Sequence, residues 1–306
     1  MEEKKKLVVL THGGAGSDPA FADGTAIAGQ MSMMSLQTGE ATIDAACQAV
    51  ATLEDDGRFN AGIGSHKRND DTVQMDASCM DSSGTFGAVA ALEGFKNPIH
   101  VARIVSQSEY RILAGRGANQ FAADQGCQAL SPDQTIGTGT DFSTTDTVGC
   151  VVRAGDQFAS DQGCQTLSLD QIVGTGTDFS TTDTVGCVLR AGDDFACALS
   201  TGGIDNALPG RVGDVPLIGC GLYAGSEGAV AATGDGEAIA MKVTALRAYQ
   251  LIEQGMDPKA IVPTVIGWFK ETTAFGIIVV SKTGFAGGSN RGMAWTASEM
   301  LQSSGR

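Results

Sequence analysis

The chain has 306 residues, 42% of them hydrophobic, and a formal net charge of −15. That is enough apolar material to fill the core of one large domain or two modest ones. The negative charge sets long-range repulsion against nucleic acid and anionic membrane surfaces. Small molecules or short peptides are the expected partners, and no stretch approaches the roughly 18 apolar residues of a membrane span.

The apolar run Leu7-Val8-Val9-Leu10 is too short for a secretory leader, so a cytoplasmic protein is expected. Glycine, at 42 residues, is abundant and aromatics make up only 6%, which favours tight turns and close backbone approaches over a bulky aromatic core. The eight cysteines include no Cys-x-x-Cys pair, and Cys127, Cys150, Cys164 and Cys187 belong to an internal repeat, so neither a disulfide framework nor a zinc site is indicated. The three histidines, His12, His66 and His100, lack metal-ligand spacing.

Leu7 to Leu10 reads as a short buried strand running into Thr11-His12-Gly13-Gly14-Ala15-Gly16, where small residues let the backbone turn sharply. A phosphate loop is one reading of that turn, but no Gly-Lys-Ser/Thr follows. His12 reads either as a ligand or acid–base group or as a hydrogen-bonded structural residue beside the site. Ile43, Ala46, Cys47, Val50 and Leu53 recur at three and four, predicting an amphipathic helix over 41–53. Phe59-Asn60-Ala61-Gly62-Ile63-Gly64-Ser65 follows as a second small-residue loop, either a tight turn or a place where backbone carbonyls hold a metal. Residues 75–81 and 87–92 read as two strands around a turn, and Lys96-Asn97-Pro98 starts a helix at Pro98.

Residues 124–160 and 161–197 form a tandem repeat, in which Thr-Asp-Phe-Ser-Thr-Thr-Asp-Thr-Val-Gly-Cys-Val recurs and Thr147 is the twin of Thr184. Two copies are too few for a solenoid, so a local duplication of a small, polar linker is the expected origin. From Thr184 the pattern is a hairpin: 185–189, a turn at Ala191-Gly192-Asp193, then 195–199 leading into Ser200-Thr201-Gly202-Gly203. Strands over 217–223 and 228–232 follow, then helices over about 238–254 and 258–270 and strands over 277–280 and 294–296. Strands bunched centrally between helix pairs imply two packed sheets with helices outside.

Asp183-Thr184-Val185-Gly186 places a hydroxyl residue at the head of an apolar strand. By itself this is either a Gly-interrupted strand start or an N-terminal threonine nucleophile before cleavage. A threonine hydroxyl is a poor nucleophile unless a base takes its proton, and a free α-amino group on the same residue, with a pKa of about 7.7 to 8.0, can serve. The bond between Asp183 and Thr184 would have to break first. Arg211 and Asp214 put one cation and one anion on a short turn, as a zwitterionic head group requires, though a surface ion pair reads the same way.

Together His12-Gly13-Gly14-Ala15-Gly16, residues 59–65, Met75-Asp76-Ala77-Ser78, Lys96-Asn97-Pro98, Asp183-Thr184-Val185-Gly186, Ser200-Thr201-Gly202-Gly203, Pro209-Gly210-Arg211-Val212-Gly213-Asp214 and Thr233-Gly234-Asp235-Gly236-Glu237 resemble the plant-type L-asparaginases, also called isoaspartyl peptidases. The resemblance implies an α+β fold, the four-layer αββα sandwich of the N-terminal-nucleophile hydrolases. It implies self-cleavage into an α subunit, residues 1–183 with the duplicated linker at about 124–183, and a β subunit, residues 184–306, together one folded domain. The implied activity is hydrolysis of β-aspartyl dipeptides and L-asparagine through a threonyl acyl-enzyme. Glycosylasparaginase, threonine-aspartase or an uncleaved ligand binder stand as alternatives.

Residue by residue, the resemblance makes Thr184 the nucleophile, Thr201 the neighbouring hydroxyl, Arg211 the grip on the substrate α-carboxylate and Asp214 the acceptor of its α-ammonium. Thr233 and the backbone N–H of Gly234 correspond to the oxyanion hole, and Asn60 to a residue hydrogen-bonded near the nucleophile. The backbone of Leu53, Glu54, Asp56, Phe59, Ala61 and Ile63 corresponds to a loop that in some members wraps a sodium ion; no other cofactor is implied. The implied assembly is a dimer of αβ units. The departure is the duplication, which offers two cleavage points, Asp146-Thr147 and Asp183-Thr184. Thr184 is the expected nucleophile, because only its hairpin continues into Thr201. Loop length costs only about 0.6 kcal/mol per doubling, so strand continuity decides.

Overall fold

The computed structural model describes residues 4–130, 165–166 and 184–303. Its elements are β1 (Lys4–His12), α1 (Ala22–Gln37), α2 (Thr42–Glu54), β2 (Met75–Asp81), β3 (Phe86–Leu92), α3 (Pro98–Ser106), β4 (Ile112–Ala114), α4 (Gly115–Asp124), β5 (Gln165–Thr166), β6 (Val185–Ala191), β7 (Asp194–Thr201), β8 (Leu222–Gly225), β9 (Gly228–Gly234), α5 (Gly236–Lys242), α6 (Thr244–Glu253), α7 (Pro258–Ile266), β10 (Phe275–Ser281), β11 (Phe285–Ser289) and β12 (Trp295–Ser303). Asp146, Thr147, Asp183 and most of the duplicated linker lie outside the described residues.

The strands form two sheets, in the orders β4-β3-β2-β7-β6-β1-β12-β5 and β11-β10-β9-β8. Their central strands are apolar on both faces, and the pleat deals alternate residues into different cores. In β1, Leu7 and Val9 join one cluster with α1, α2 and α3, while Val8 and Leu10 join a second. That second cluster unites Phe195, Cys197 and Leu199 of β7 with Ala229 and Ala231 of β9 and Ile278 and Val280 of β10, so it lies between the sheets. The other faces of β9 and β10, with Val230, Ala232, Ile277 and Val279, meet α6 and α7 in a third. Mixed α and β structure with stacked sheets is thus the architecture, each sheet carrying helices on the face turned away from its neighbour.

The hairpin expected after Thr184 forms, and the second repeat copy supplies β6, in the middle of the large sheet between β7 and β1. Several expectations need correction. The helix expected over 238–254 is two helices, broken at Val243, which takes the left-handed conformation (φ 49°, ψ 52°). The break turns the first amides of α6, which a helix leaves unpaired, onto the loop before β8: Ala245 N–H donates to the Cys220 carbonyl and Leu246 N–H to that of Gly219. The strand expected over 217–223 begins only at Leu222, because Gly219 turns left-handed and Cys220 N–H bonds back to Leu217. α7 stops at Ile266, capped by Gly267, rather than reaching Lys270. Helix α1 has no counterpart in the sequence reading, since its apolar residues form no single stripe: Ile27, Met31 and Met34 face solvent while Thr25 and Ser32 are buried.

Helix α3 meets β3 backbone to backbone at Gly87, where an added Cβ would lie 2.3 Å from the Ala102 carbonyl oxygen and 2.4 Å from the Ser106 nitrogen. Neither atom can move without shifting the helix. Gly87→Ala is therefore expected to destabilise the protein by about 1–3 kcal/mol, read as a lowered denaturant midpoint with an unchanged slope.

Candidate active site

The site lies where β6 begins and β7 ends. Antiparallel pairing sets Val185 opposite Ser200, so Thr184 and Thr201 sit at the same end of neighbouring strands, both 5% exposed. On the other side of β7, Thr201 pairs with Asp76 of β2. Thr184, Thr201, Arg211, Asp214 and Gly234, separated by up to fifty residues in the sequence, line one small cavity with Gly203, Ile204, Gly213 and Gly236. As it stands the cavity holds about 10 Å³, the room of one water. A larger cavity, about 480 Å³, opens away from these residues between β11 and β12.

Glycine is required where the Thr184 strand meets β1. A Cβ on Gly186 would lie 2.4 Å from the His12 Nε2 atom and 2.6 Å from the Leu199 side chain. His12 is fully buried, and burial lowers its pKa to about 3 against the upward pull of the Thr184 backbone, so the ring is neutral at pH 7. Among the described residues no hydrogen bond of good geometry reaches its ring nitrogens, and the Thr184 backbone is the polar group that acts on the ring. The Thr11–Gly16 turn contributes otherwise: Ala15 N–H donates to the Thr233 hydroxyl at 3.1 Å. Thr233 is fully buried at the end of β9, and Gly234 takes φ 131°.

Asn60 acts through the backbone. Its Nδ2 donates to the Gly203 carbonyl at 2.7 Å, its Oδ1 accepts from His66 N–H at 3.1 Å, and Gly202 N–H returns to the Asn60 carbonyl. These bonds hold the turn after Thr201, where Gly203 N–H donates to the Thr201 hydroxyl at 3.1 Å.

The Pro209–Asp214 loop carries the charges. Arg211 forks onto Glu237, Nε to Oε1 at 2.9 Å and Nη2 to Oε2 at 2.5 Å. Arg68, a buried guanidinium, supports the loop from below by donating to the carbonyls of Gln74 (3.0 Å) and Arg211 (3.3 Å). Asp76, also buried, accepts from Ala91 N–H at 2.8 Å. Glu237, Arg68 and Asp76 are the site's contributors that the sequence did not disclose as such, although Asp76 and Glu237 stand within quoted motifs. Asp214 is buried and its Oδ2 has no hydrogen-bond partner among the described residues. A buried carboxylate oxygen in want of a donor suits an ammonium group.

The 53–63 loop tests as a cation cradle. Asp56, Phe59 and Ala61 each use their carbonyl for one backbone N–H, leaving a second lone pair on each. A Cβ on Gly62 would lie 2.3 Å from the Glu54 carbonyl oxygen and one on Gly64 2.0 Å from that of Phe59, so oxygens crowd this turn. Neutral carbonyl donors fit a monovalent hard cation such as sodium. Among the described residues no group of three or more His, Cys, Asp or Glu offers an alternative metal site.

Burial raises the Asp214 pKa from 3.8 to about 7, with Arg211 opposing. Between about pH 4 and 7 the folded chain therefore binds a proton here that the unfolded chain has released, so this residue's contribution to stability falls as pH rises through that window. Asp214→Asn is expected to narrow the Tm difference between pH 5 and pH 8, measured by calorimetry on protein of matched cleavage state.

With the geometry established, comparison with known proteins places it. The sequence profile of a family described as asparaginase matches residues 5–304. The chain is 35% identical over 307 residues to the isoaspartyl peptidase/L-asparaginase of Homo sapiens, covering 95% of this chain and 93% of the relative. It is 34% identical over 305 residues to that of Danio rerio, covering 95% and 92%. Against the isoaspartyl peptidase of Escherichia coli (strain K12) identity is 34% over 259 residues, covering 80% and 76%. A match that runs from the first strand to the last, and takes in every residue around the Thr184 cavity, means that the chain belongs to the asparaginase family.

Proposed function

We propose that the protein is an autoprocessed threonine hydrolase that releases L-aspartate from β-aspartyl dipeptides and from L-asparagine. The observation that carries this reading is the convergence of Thr184, Thr201, Arg211, Asp214 and Gly234 on one cavity at the β6–β7 strand ends. In this reading the chain is cut before Thr184 into an α subunit, residues 1–183, and a β subunit, residues 184–306, that stay in one αββα sandwich of the N-terminal-nucleophile type. The paired arrangement of sheets and outer helices supports that layering.

Cleavage gives Thr184 the free amino group that takes the proton from its own hydroxyl. The hydroxyl oxygen attacks the side-chain carbonyl of the aspartyl group, and the charge that develops on the carbonyl oxygen is met by the Thr233 hydroxyl and Gly234 N–H. Such donors are each worth about 2.7–4 kcal/mol at the transition state. The Ala15 bond supports this role, since it occupies a lone pair of the Thr233 oxygen and leaves its hydrogen free to donate. The amino group returns the proton to the departing amine, and water then hydrolyses the ester by the same path in reverse. Arg211 grips the α-carboxylate, Asp214 takes the α-ammonium, and Thr201, on the adjacent strand, bonds to the nucleophile's surroundings. Asn60 holds the Thr201–Gly203 turn in place.

A sodium ion held by the carbonyls of Leu53, Glu54, Asp56, Phe59, Ala61 and Ile63 would stiffen the loop that carries Asn60, and two αβ units would pair as a dimer. No helix among the described residues is long and apolar enough to cross a membrane.

Thr184→Ala is expected to leave a single band near 31.3 kDa on a denaturing gel and to lower hydrolysis of a β-aspartyl dipeptide by at least about 10³-fold. Wild-type protein is expected to give two smaller bands, the β subunit starting Thr-Val-Gly-Cys-Val-Leu. A start of Thr-Val-Gly-Cys-Val-Val on active protein would move the nucleophile to Thr147. Arg211→Lys is expected to raise KM by about tenfold or more while self-cleavage continues, because an ammonium cannot reproduce the two parallel bonds of the guanidinium.

A further inference from the structure

We propose that Glu237 is a positioning residue for substrate recognition: it clamps the outer edge of the Arg211 guanidinium, so that the inner edge alone faces the cavity and receives the substrate α-carboxylate. The inference rests on the proposed function, since it concerns the same grip.

A guanidinium offers two edges to a carboxylate, one made by Nε with Nη2 and one by Nη1 with Nη2. Glu237 occupies the first, at 2.9 and 2.5 Å, and among the described residues no hydrogen bond engages Nη1. The two partners stand on opposite sides of the site wall. Arg211 lines the cavity and its side chain is 16% exposed, whereas Glu237 is 62% exposed and does not line the cavity. Glu237 therefore stands behind the grip rather than in the substrate's place. The glycines on either side keep this arrangement open: a Cβ on Gly213 would lie 3.1 Å from Nη1, and one on Gly236 3.0 Å from both Nη2 and the Asp214 Oδ1 atom.

The backbone of the loop is fixed from the protein interior. Arg211 N–H donates to the Leu208 carbonyl at 3.0 Å, the Arg211 carbonyl accepts from Arg68 at 3.3 Å, and Gly210 N–H donates to Gln74 Oε1 at 2.6 Å. None of these bonds restrains the rotatable side chain. Glu237 supplies that restraint, so its loss transfers the cost of ordering Arg211 to the moment of substrate binding. An ion pair whose carboxylate is largely in solvent contributes little to folding stability, so the effect belongs in binding and not in Tm.

The test compares wild type with Glu237→Gln, which keeps shape and loses charge, and Glu237→Asp, which is one methylene too short to hold both nitrogens in place. For each, self-cleavage is read on a denaturing gel, Tm by calorimetry, kcat and KM with a β-aspartyl dipeptide, and the Kd for L-aspartate by titration calorimetry. The expected result is complete cleavage, an unchanged Tm, kcat within about twofold, and KM and Kd both raised about fivefold or more. Unchanged KM and Kd overturn the inference, and lowered values do so as well, since they would mean that Glu237 competes with the substrate for the fork. If one variant fails to fold, the other carries the comparison. A cleaved wild type that binds L-aspartate without hydrolysing the dipeptide refutes the hydrolase reading, and the Kd ratio still decides the role of Glu237. A wild type that does not bind L-aspartate overturns the inference.

Discussion

The pairing of β6 with β7 is the interaction on which the rest of the site depends. It puts Val185 opposite Ser200 and so brings Thr184 and Thr201 to the same end of adjacent strands, in a sheet whose faces are both covered. Because a one-residue slip would exchange Val185, Cys187 and Leu189 for Gly186, Val188 and Arg190 on the helix-covered face, the core enforces the register. The alignment of Thr184 with Thr201 is a by-product of hydrophobic packing: the strand cannot shift its first residue without burying Arg190 beneath the helices.

Around those strand ends the chain gathers buried charge. Arg68, Asp76 and Asp214 are all nearly inaccessible, and burial lowers the Arg68 pKa while raising those of Asp76 to about 6 and Asp214 to about 7. Burying charge without complete pairing is unfavourable. On the proposed function, a zwitterionic substrate would complete Asp214 through its ammonium and Arg211 through its carboxylate. A net charge of −15 repels polyanions at a distance, but the local site holds both signs within one loop.

Small residues set how closely the parts can approach. Gly186 yields to His12 and Leu199, Gly203 to the Arg68 guanidinium, and Gly213 and Gly236 to Arg211. At each, an added side chain would press on a group in or next to the site. At Gly203, Gly213 and Gly236 the missing side chain lets backbone approach the Arg68 and Arg211 guanidinium groups.

The sequence by itself determined the hairpin after Thr184, the helix starting at Pro98, the helix ending near Leu53, and the motifs from which the family follows, because each is written in local periodicity or in an unusual run of small residues. It also named Thr184, Thr201, Arg211, Asp214 and Gly234, which the structure brings around one cavity. Tertiary structure alone decided the rest. Helix α1 carries no apolar stripe, since the large sheet accepts its Thr25 and Ser32 and leaves Ile27, Met31 and Met34 outside. The break at Val243 comes from carbonyls of Gly219 and Cys220 that the sequence places more than twenty residues away. In the sequence Glu237 is only the last residue of the Thr233–Glu237 motif, and Arg68 carries no assigned role. Only the packing of β2, the Pro209–Asp214 loop and α5 against one another turns the first into the partner of Arg211 and buries the second beneath it, because charge partners are chosen by distance in space and not along the chain.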